Sequence, residues 1–129
     1  MGTGISTECR KCQNQETHLF GIGMMYSDLS NIISFFTSGV QKKVLELEEQ
    51  HRFEEVDYSH DLFECIHCDT AHSRLSLEIK YSGNLAYKPQ FKCYECKRKL
   101  KPTNRDASSF KCRKCCSYDL IETNYIDWD

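Results

Sequence analysis

Eight of the chain's nine cysteines fall into four Cys-x-x-Cys pairs, Cys9/Cys12, Cys65/Cys68, Cys93/Cys96 and Cys112/Cys115. No other feature restricts the fold as strongly. Two thiolates separated by two residues occupy adjacent corners of a tetrahedron when the backbone between them turns sharply, and a second pair supplies the other two corners. Four pairs therefore predict two metal sites of four thiolates each, with Zn²⁺ the expected occupant of both and iron the less favoured one. A disulfide scaffold fits less well. The cysteine count is odd, and MGTGISTECRKC has no apolar run ahead of its first pair to serve as a signal peptide. A reducing cytoplasm is the expected compartment. No apolar stretch approaches transmembrane length, so no membrane association is expected.

A chain of 129 residues has room for one compact domain or two very small ones, and its apolar core would be modest. Metal binding is expected to supply part of the folding energy. Between the cysteine pairs, His18 to Tyr26 reads as a strand, and Ser27 or Asp28 as a helix cap. From Leu29, the residues Ile32, Ile33, Phe36, Val40, Val44 and Leu47 recur at spacings of three and four, one apolar face on a helix reaching roughly to His51. Ser38-Gly39 weakens its middle, so two helices joined there are the alternative. This face is expected to pack on the chain's own sheet, with a homodimer seam through 29–47 as the competing use. Glu54 to Asp61 reads as a polar, acidic segment leading into Leu62-Phe63-Glu64-Cys65. Leu75 to Tyr81 alternates cleanly, and the turn signal Ser82-Gly83-Asn84 then leads into a second extended run from Leu85 to Phe91, a hairpin. Tyr118 to Trp128 is rich in strand formers.

The fifteen residues between Cys96 and Cys112 suit a short hairpin with a metal turn at each end, and Phe91-Lys-Cys93 is matched by Phe110-Lys-Cys112. With Cys116-Ser-Tyr-Asp-Leu as the exit from the second turn, this segment resembles the zinc-ribbon proteins, whose metal sits between two rubredoxin-like knuckles on short antiparallel strands. The resemblance implies a small metal-stabilised α+β fold of two zinc-ribbon-like modules. Residues 1–82 would form the first, expanded by a helical insertion at about 27–51, and 83–129 a basic C-terminal ribbon. Sequential pairing, Cys9/Cys12 with Cys65/Cys68 and Cys93/Cys96 with Cys112/Cys115, is the favoured arrangement. A nested arrangement, with the two inner pairs sharing one metal and the two outer pairs the other, and a cross-braced one remain open. Cys116 stands where such knuckles commonly carry glycine. It is expected to be a small buried residue near the sulfurs, with competition against Cys115 as ligand, or a reactive free thiol, as alternatives. His67 and His72 lie near a knuckle and are expected to point outward or to bond backbone, while His18, His51 and His60 read as ordinary polar residues.

Four-cysteine coordination leaves a metal no open position for water or substrate, and the chain has no deaminase-type His-x-Glu stretch and no Walker-type phosphate loop. No enzymatic activity is expected. The formal charge of -2 conceals an asymmetry, because Glu46 to Asp69 carries nine acidic residues against one arginine, whereas Lys88 to Cys116 carries ten basic residues against two acidic ones. Those ten are Lys88, Lys92, Lys97, Arg98, Lys99, Lys101, Arg105, Lys111, Arg113 and Lys114, with Tyr87, Phe91, Tyr94 and Phe110 interleaved. Cations that neutralise phosphates beside aromatic faces that stack bases are the composition of a nucleic-acid binder. The competing reading is a protein-interaction adaptor or homodimer in which the acidic and basic segments dock on each other. Whether the basic side chains form one open face decides between them.

Overall fold

The computed structural model describes residues 2–21 and 33–128. The expected cap at Ser27 or Asp28, the end of the strand beyond Gly21 and the start of the helical face at Leu29 and Ile32 lie outside the described residues. The described strands are β1 (Gly2–Cys9), β2 (Gln15–Gly21), β3 (Glu55–Cys65), β4 (Thr70–Ser82), β5 (Leu85–Tyr87), β6 (Lys101–Pro102) and β7 (Leu120–Trp128). They form one antiparallel sheet in the order β5-β4-β3-β2-β1-β7, with β6 paired to β3 off that path. With one α-helix of more than one turn among the described residues, α1 (Ser38–Gln50), the molecule is a small, mostly antiparallel α+β fold carrying two clusters of four cysteines.

Two long ladders set the frame. β3 and β4 pair from Glu55↔Lys80 to Cys65↔Thr70, so the Cys65/Cys68 turn is itself the hairpin connection. β1 and β7 pair from Gly2↔Trp128 to Cys9↔Leu120, with a bulge at Thr123. The two ends of the chain are thereby joined side by side. Gly4 is part of this closure, because a Cβ there would stand 2.7 Å from Ile126 Cγ1 and 3.3 Å from the His18 carbonyl oxygen. Between β2 and β3 the paired position among the described residues is Gly21↔His60. Nearby, the Ser73 hydroxyl accepts from the Leu19 N–H at 3.0 Å and donates to the Leu19 carbonyl at 3.1 Å, standing in for a backbone ladder.

The helix begins later than its periodicity predicts, at the place the sequence flagged as weak. Thr37 is the N-cap, its hydroxyl accepting from the Val40 N–H, and a short 3₁₀ turn, Ile33–Phe35, precedes it. Phe36 and Val44 are buried with Leu75, Leu77 and Ile79 of β4, and Val40, Val56, Tyr58 and Phe91 pack around them. The described part of the apolar face therefore covers the chain's own sheet, the first of its two expected uses. The predicted hairpin is present as β4–β5, with Gly83 at φ +62° in the turn. The polar, acidic segment 54–61 lies largely within a strand, Glu55–Cys65. Val56, Tyr58 and Leu62 alternate there with Glu55, Asp57 and Asp61, which is a strand with one face inward.

Candidate metal centres

Each Cys-x-x-Cys pair sits in the same backbone turn. The residue after the second cysteine donates its N–H to the carbonyl of the first: Gln13 to Cys9 (2.7 Å), Asp69 to Cys65 (2.8 Å), Lys97 to Cys93 (3.0 Å) and Cys116 to Cys112 (2.9 Å). In three of the four turns the first cysteine's own N–H also reaches the carbonyl five residues on, at Asn14, Arg98 and Ser117. To close the turn that residue adopts a left-handed backbone, with φ of 65° at Gln13, 54° at Asp69, 64° at Lys97 and 62° at Cys116. This is why glycine is favoured there, and why Cys116 is neither buried nor a ligand. It is exposed and lies outside the four-cysteine cluster, which corrects the expectation of a buried residue. Because an L-residue in this region is strained by about 1–2 kcal/mol, Cys116→Gly is expected to stabilise the fold by about 0.5–1 kcal/mol after its greater unfolded-state freedom is discounted. Denaturant unfolding measures the gain. An unchanged metal count is expected, and loss of a metal would make Cys116 a ligand after all.

The four turns converge in a nested arrangement. Cys9, Cys12, Cys112 and Cys115 form one cluster, and Cys65, Cys68, Cys93 and Cys96 the other, with all four sulfurs of each within 4.8 Å of one another. This corrects the sequential pairing, and neither cluster is contained within 1–82 or within 83–129. The reason lies in the ladders. β7 pairs with β1 along its whole length, bringing Leu120 against Cys9 and so Cys115 to Cys9. β6 pairs Lys101 and Pro102 with Glu64 and Phe63, bringing the Cys93/Cys96 turn to Cys65/Cys68.

Sulfur separations fit a shared ion. Cys9–Cys115, Cys12–Cys112 and Cys65–Cys96 are each 3.5 Å apart and Cys68–Cys93 4.0 Å. All nine cysteines are free thiols. A metal–sulfur bond of about 2.3 Å places tetrahedral corners about 3.8 Å apart, in the middle of that range. The first cysteine of each pair is at most 1% exposed. Ionisation is uneven within the clusters. The Ser117 hydroxyl, followed by the backbone N–H of Cys12, holds the Cys9 thiol down to about 6, and the Arg98 N–H brings Cys96 to about 7, whereas burial followed by the neighbouring sulfurs pushes Cys68 up to about 12. Four thiolates this close require a cation among them.

Around the sulfurs stand Ser117 and Glu95, which the sequence reading did not single out, and His72, which turns inward and so corrects the expectation that it points outward or bonds backbone. Ser117 Oγ lies 3.3 Å from Cys9 Sγ and 3.2 Å from Cys115 Sγ. His72, fully buried, places Nε2 3.7 Å from Cys93 Sγ and 3.0 Å from Thr70 Oγ1, and burial lowers its pKa to about 4, so the ring is neutral at pH 7. Glu95 Oε2 is 3.1 Å from Cys93 Sγ. His72, Cys93 and Glu95 thus form a third grouping of ligand atoms, but it shares Cys93 with the inner cluster. Glu95 lies inside the knuckle itself, at a spacing from Cys93 that could have been noted.

The ten basic residues divide by type. All three arginines are engaged within the molecule: Arg98 donates to His67 Nδ1 at 2.9 Å, Arg105 pairs with Asp69 (2.8 Å) and Glu64 (3.3 Å) over the Phe110 ring, and Arg113 pairs with Glu95 (3.1 Å) and Glu16 (3.5 Å). Among the lysines, Lys88 pairs with Glu78 at 3.0 Å and Lys111 sits over Tyr118. Lys92, Lys97, Lys99, Lys101 and Lys114 are exposed, with no ion pair among the described residues. Lys92 and Lys99 are directly paired across an antiparallel bridge. Lys88, Lys99 and Lys101 line one groove of about 480 Å³, with Asp61 on its wall and Phe63, Leu77, Phe91 and Leu100 among its apolar lining. The aromatic residues fit the stacking expectation less well. Phe110 is fully buried and Phe91 packs edge-on against Phe63, leaving Tyr94 exposed between Arg74 and Arg113. No described helix is long and apolar enough to cross a membrane. Comparison with protein-family models, curated proteins and solved structures found no match, so the case for the two centres stands on their own geometry.

Proposed function

We propose that this is a non-catalytic protein held together by two structural Zn²⁺ ions, and that it binds the phosphate backbone of nucleic acid through a lysine ridge on the Phe91–Leu100 ribbon. When bound, the metal supplies cross-links that replace the missing part of the apolar core. Each cluster offers four thiolates to one ion, which leaves no coordination position for substrate. Iron is the alternative occupant, and elemental analysis separates the two.

The observation that carries the nucleic-acid reading is the division between arginines and lysines. The forked guanidiniums are satisfied by the protein's own carboxylates, histidine and rings, while lysines at 92, 97, 99 and 101 extend outward from a few turns of chain. Lys92 opposite Lys99 is a like-charge cross-strand pair, which destabilises a ribbon unless something anionic lies across it. Binding by these groups would be electrostatic and tolerant of sequence, with Tyr94 the one exposed ring on the ribbon.

The test is a salt titration with short mixed-sequence single-stranded DNA and RNA. Wild-type affinity is expected to fall steeply with salt, and Lys92→Glu/Lys99→Glu should reduce the slope of log K against log salt by about 1.4 or more, at roughly 0.7 per phosphate contact. The double variant should be no less stable than wild type. An unchanged slope, or no binding to either nucleic acid, would turn the ridge toward an acidic protein partner.

A further inference from the structure

The two metal clusters are bridged by a side-chain contact that their separate descriptions do not require. Arg113 lies inside the Cys112/Cys115 knuckle of the outer cluster and Glu95 inside the Cys93/Cys96 knuckle of the inner one. Both Nε and Nη2 of Arg113 donate to the same Glu95 oxygen, at 3.2 and 3.1 Å, while the other oxygen stands 3.1 Å from Cys93 Sγ. The Arg113 side chain is only a quarter exposed, and Glu16 of β2 adds a second carboxylate at 3.5 Å. The Tyr94 ring, from Glu95's own knuckle, sits 5.6 Å from the same guanidinium.

We infer that Arg113 and Glu95 couple the two centres, so that metal ions are taken up as a pair. The inference rests on the reading of both clusters as metal sites. With the outer site filled, the Cys112/Cys115 turn is rigid and the guanidinium is held over Glu95, drawing negative charge away from Cys93 as that sulfur ionises. With the outer site empty, the turn is free, Arg113 has no fixed origin, and a carboxylate faces a thiolate at 3.1 Å without a cation beside it. Occupancy of the inner site then meets added repulsion. Coupling of this kind is reciprocal, so the inner site favours the outer by the same factor.

Chain topology alone would not supply the effect. The inner site lies within the loop closed by the outer one, and forming it first shortens that loop by about a quarter to a third, an advantage of less than about twofold from loop-closure entropy. Contacts between coupled sites ordinarily contribute about 5- to 150-fold. Coupling well above twofold is therefore assigned to the side-chain bridge.

Native mass spectrometry during Zn²⁺ addition to the reduced full-length chain reads the coupling. Two uncoupled equal sites hold half of the molecules in the one-metal form at half-saturation, whereas tenfold coupling lowers that share to about a quarter and unequal sites can only raise it. Wild type is expected at or below about a quarter, and the isosteric Glu95→Gln should move it toward half while still binding two ions when saturated. Arg113→Lys, which keeps the charge without the fork, should fall between them. A wild-type one-metal share of half or more that Glu95→Gln leaves unchanged would overturn the coupling and leave the metal reading intact. No metal uptake at all would overturn both. Strong coupling that persists unchanged in Glu95→Gln would remove the bridge as its cause and assign it to folding of the whole sheet.

Discussion

Cys112→Ser is expected to release the joined ends of the chain, β1, β2 and β7, while the β3–β4 hairpin keeps its own metal when Zn²⁺ is saturating. The expected loss is large. A structural zinc site contributes about 10–16 kcal/mol in small finger peptides, comparable to the entire stability of an ordinary domain at about 5–15 kcal/mol. The nested pairing makes this result specific. Residue 112 shares its cluster with Cys9 and Cys12, so Cys12→Ser and Cys112→Ser remove the same ion, and the double variant should be scarcely less stable than either single one. At saturating metal it should bind one ion. Cys12→Ser combined with Cys68→Ser strikes both clusters and should bind none, whereas sequential pairing would leave that variant with one. Metal counting by native mass spectrometry on these two double variants therefore decides the pairing, and one ion retained in the second would refute it.

The cysteines of the two candidate centres were legible because a thiolate pair at fixed spacing describes its own geometry. How the pairs combine was not, since that is decided by a ladder between strands more than a hundred residues apart, β1 with β7. No local pattern announces it. β1 itself gave little signal. GTGISTEC has one large aliphatic residue, and its burial at Gly2, Gly4, Thr7 and Cys9 comes from lying between two other strands. In β3 the signal was present in Val56, Tyr58 and Leu62 but was outweighed by the acidic residues between them. The β4–β5 hairpin was readable because alternation and a turn glycine agree. For the helix, Ser38-Gly39 marked a real discontinuity, since the Thr37 cap starts a helix there after the 3₁₀ turn Ile33–Phe35. The basic segment was visible as composition, yet only geometry separates the arginines that bind their own protein from the lysines that face outward.

Phe110→Ala is expected to cost about 3–5 kcal/mol, the range for deleting a fully buried aromatic ring, and to lower the melting temperature by on the order of 10–20 °C for a chain of this size. Phe110 precedes Cys112 by two residues and so stands next to the outer cluster in sequence. Its contacts are elsewhere: it fills the space between Leu62 of β3, Ala71 of β4 and Ala107 of the short 3₁₀ turn Ala107–Ser109, with Phe20 of β2 alongside. This cluster draws on both sides of the β2–β3 junction, where the paired position among the described residues is Gly21↔His60. The ring thus packs side chains of β2, β3 and β4 together across that junction. Arg105 covers it at 4.0 Å while reaching Glu64 and Asp69, but those partners are partly solvated, and exposed ion pairs contribute about 0.2–1 kcal/mol. Arg105→Ala should accordingly cost about 1 kcal/mol or a little more, including the ring's lost cover. Thermal unfolding of the two variants at saturating Zn²⁺ separates the contributions. If the two substitutions lowered the melting temperature equally, the ion-pair network and not the buried ring would be what joins the halves of the sheet.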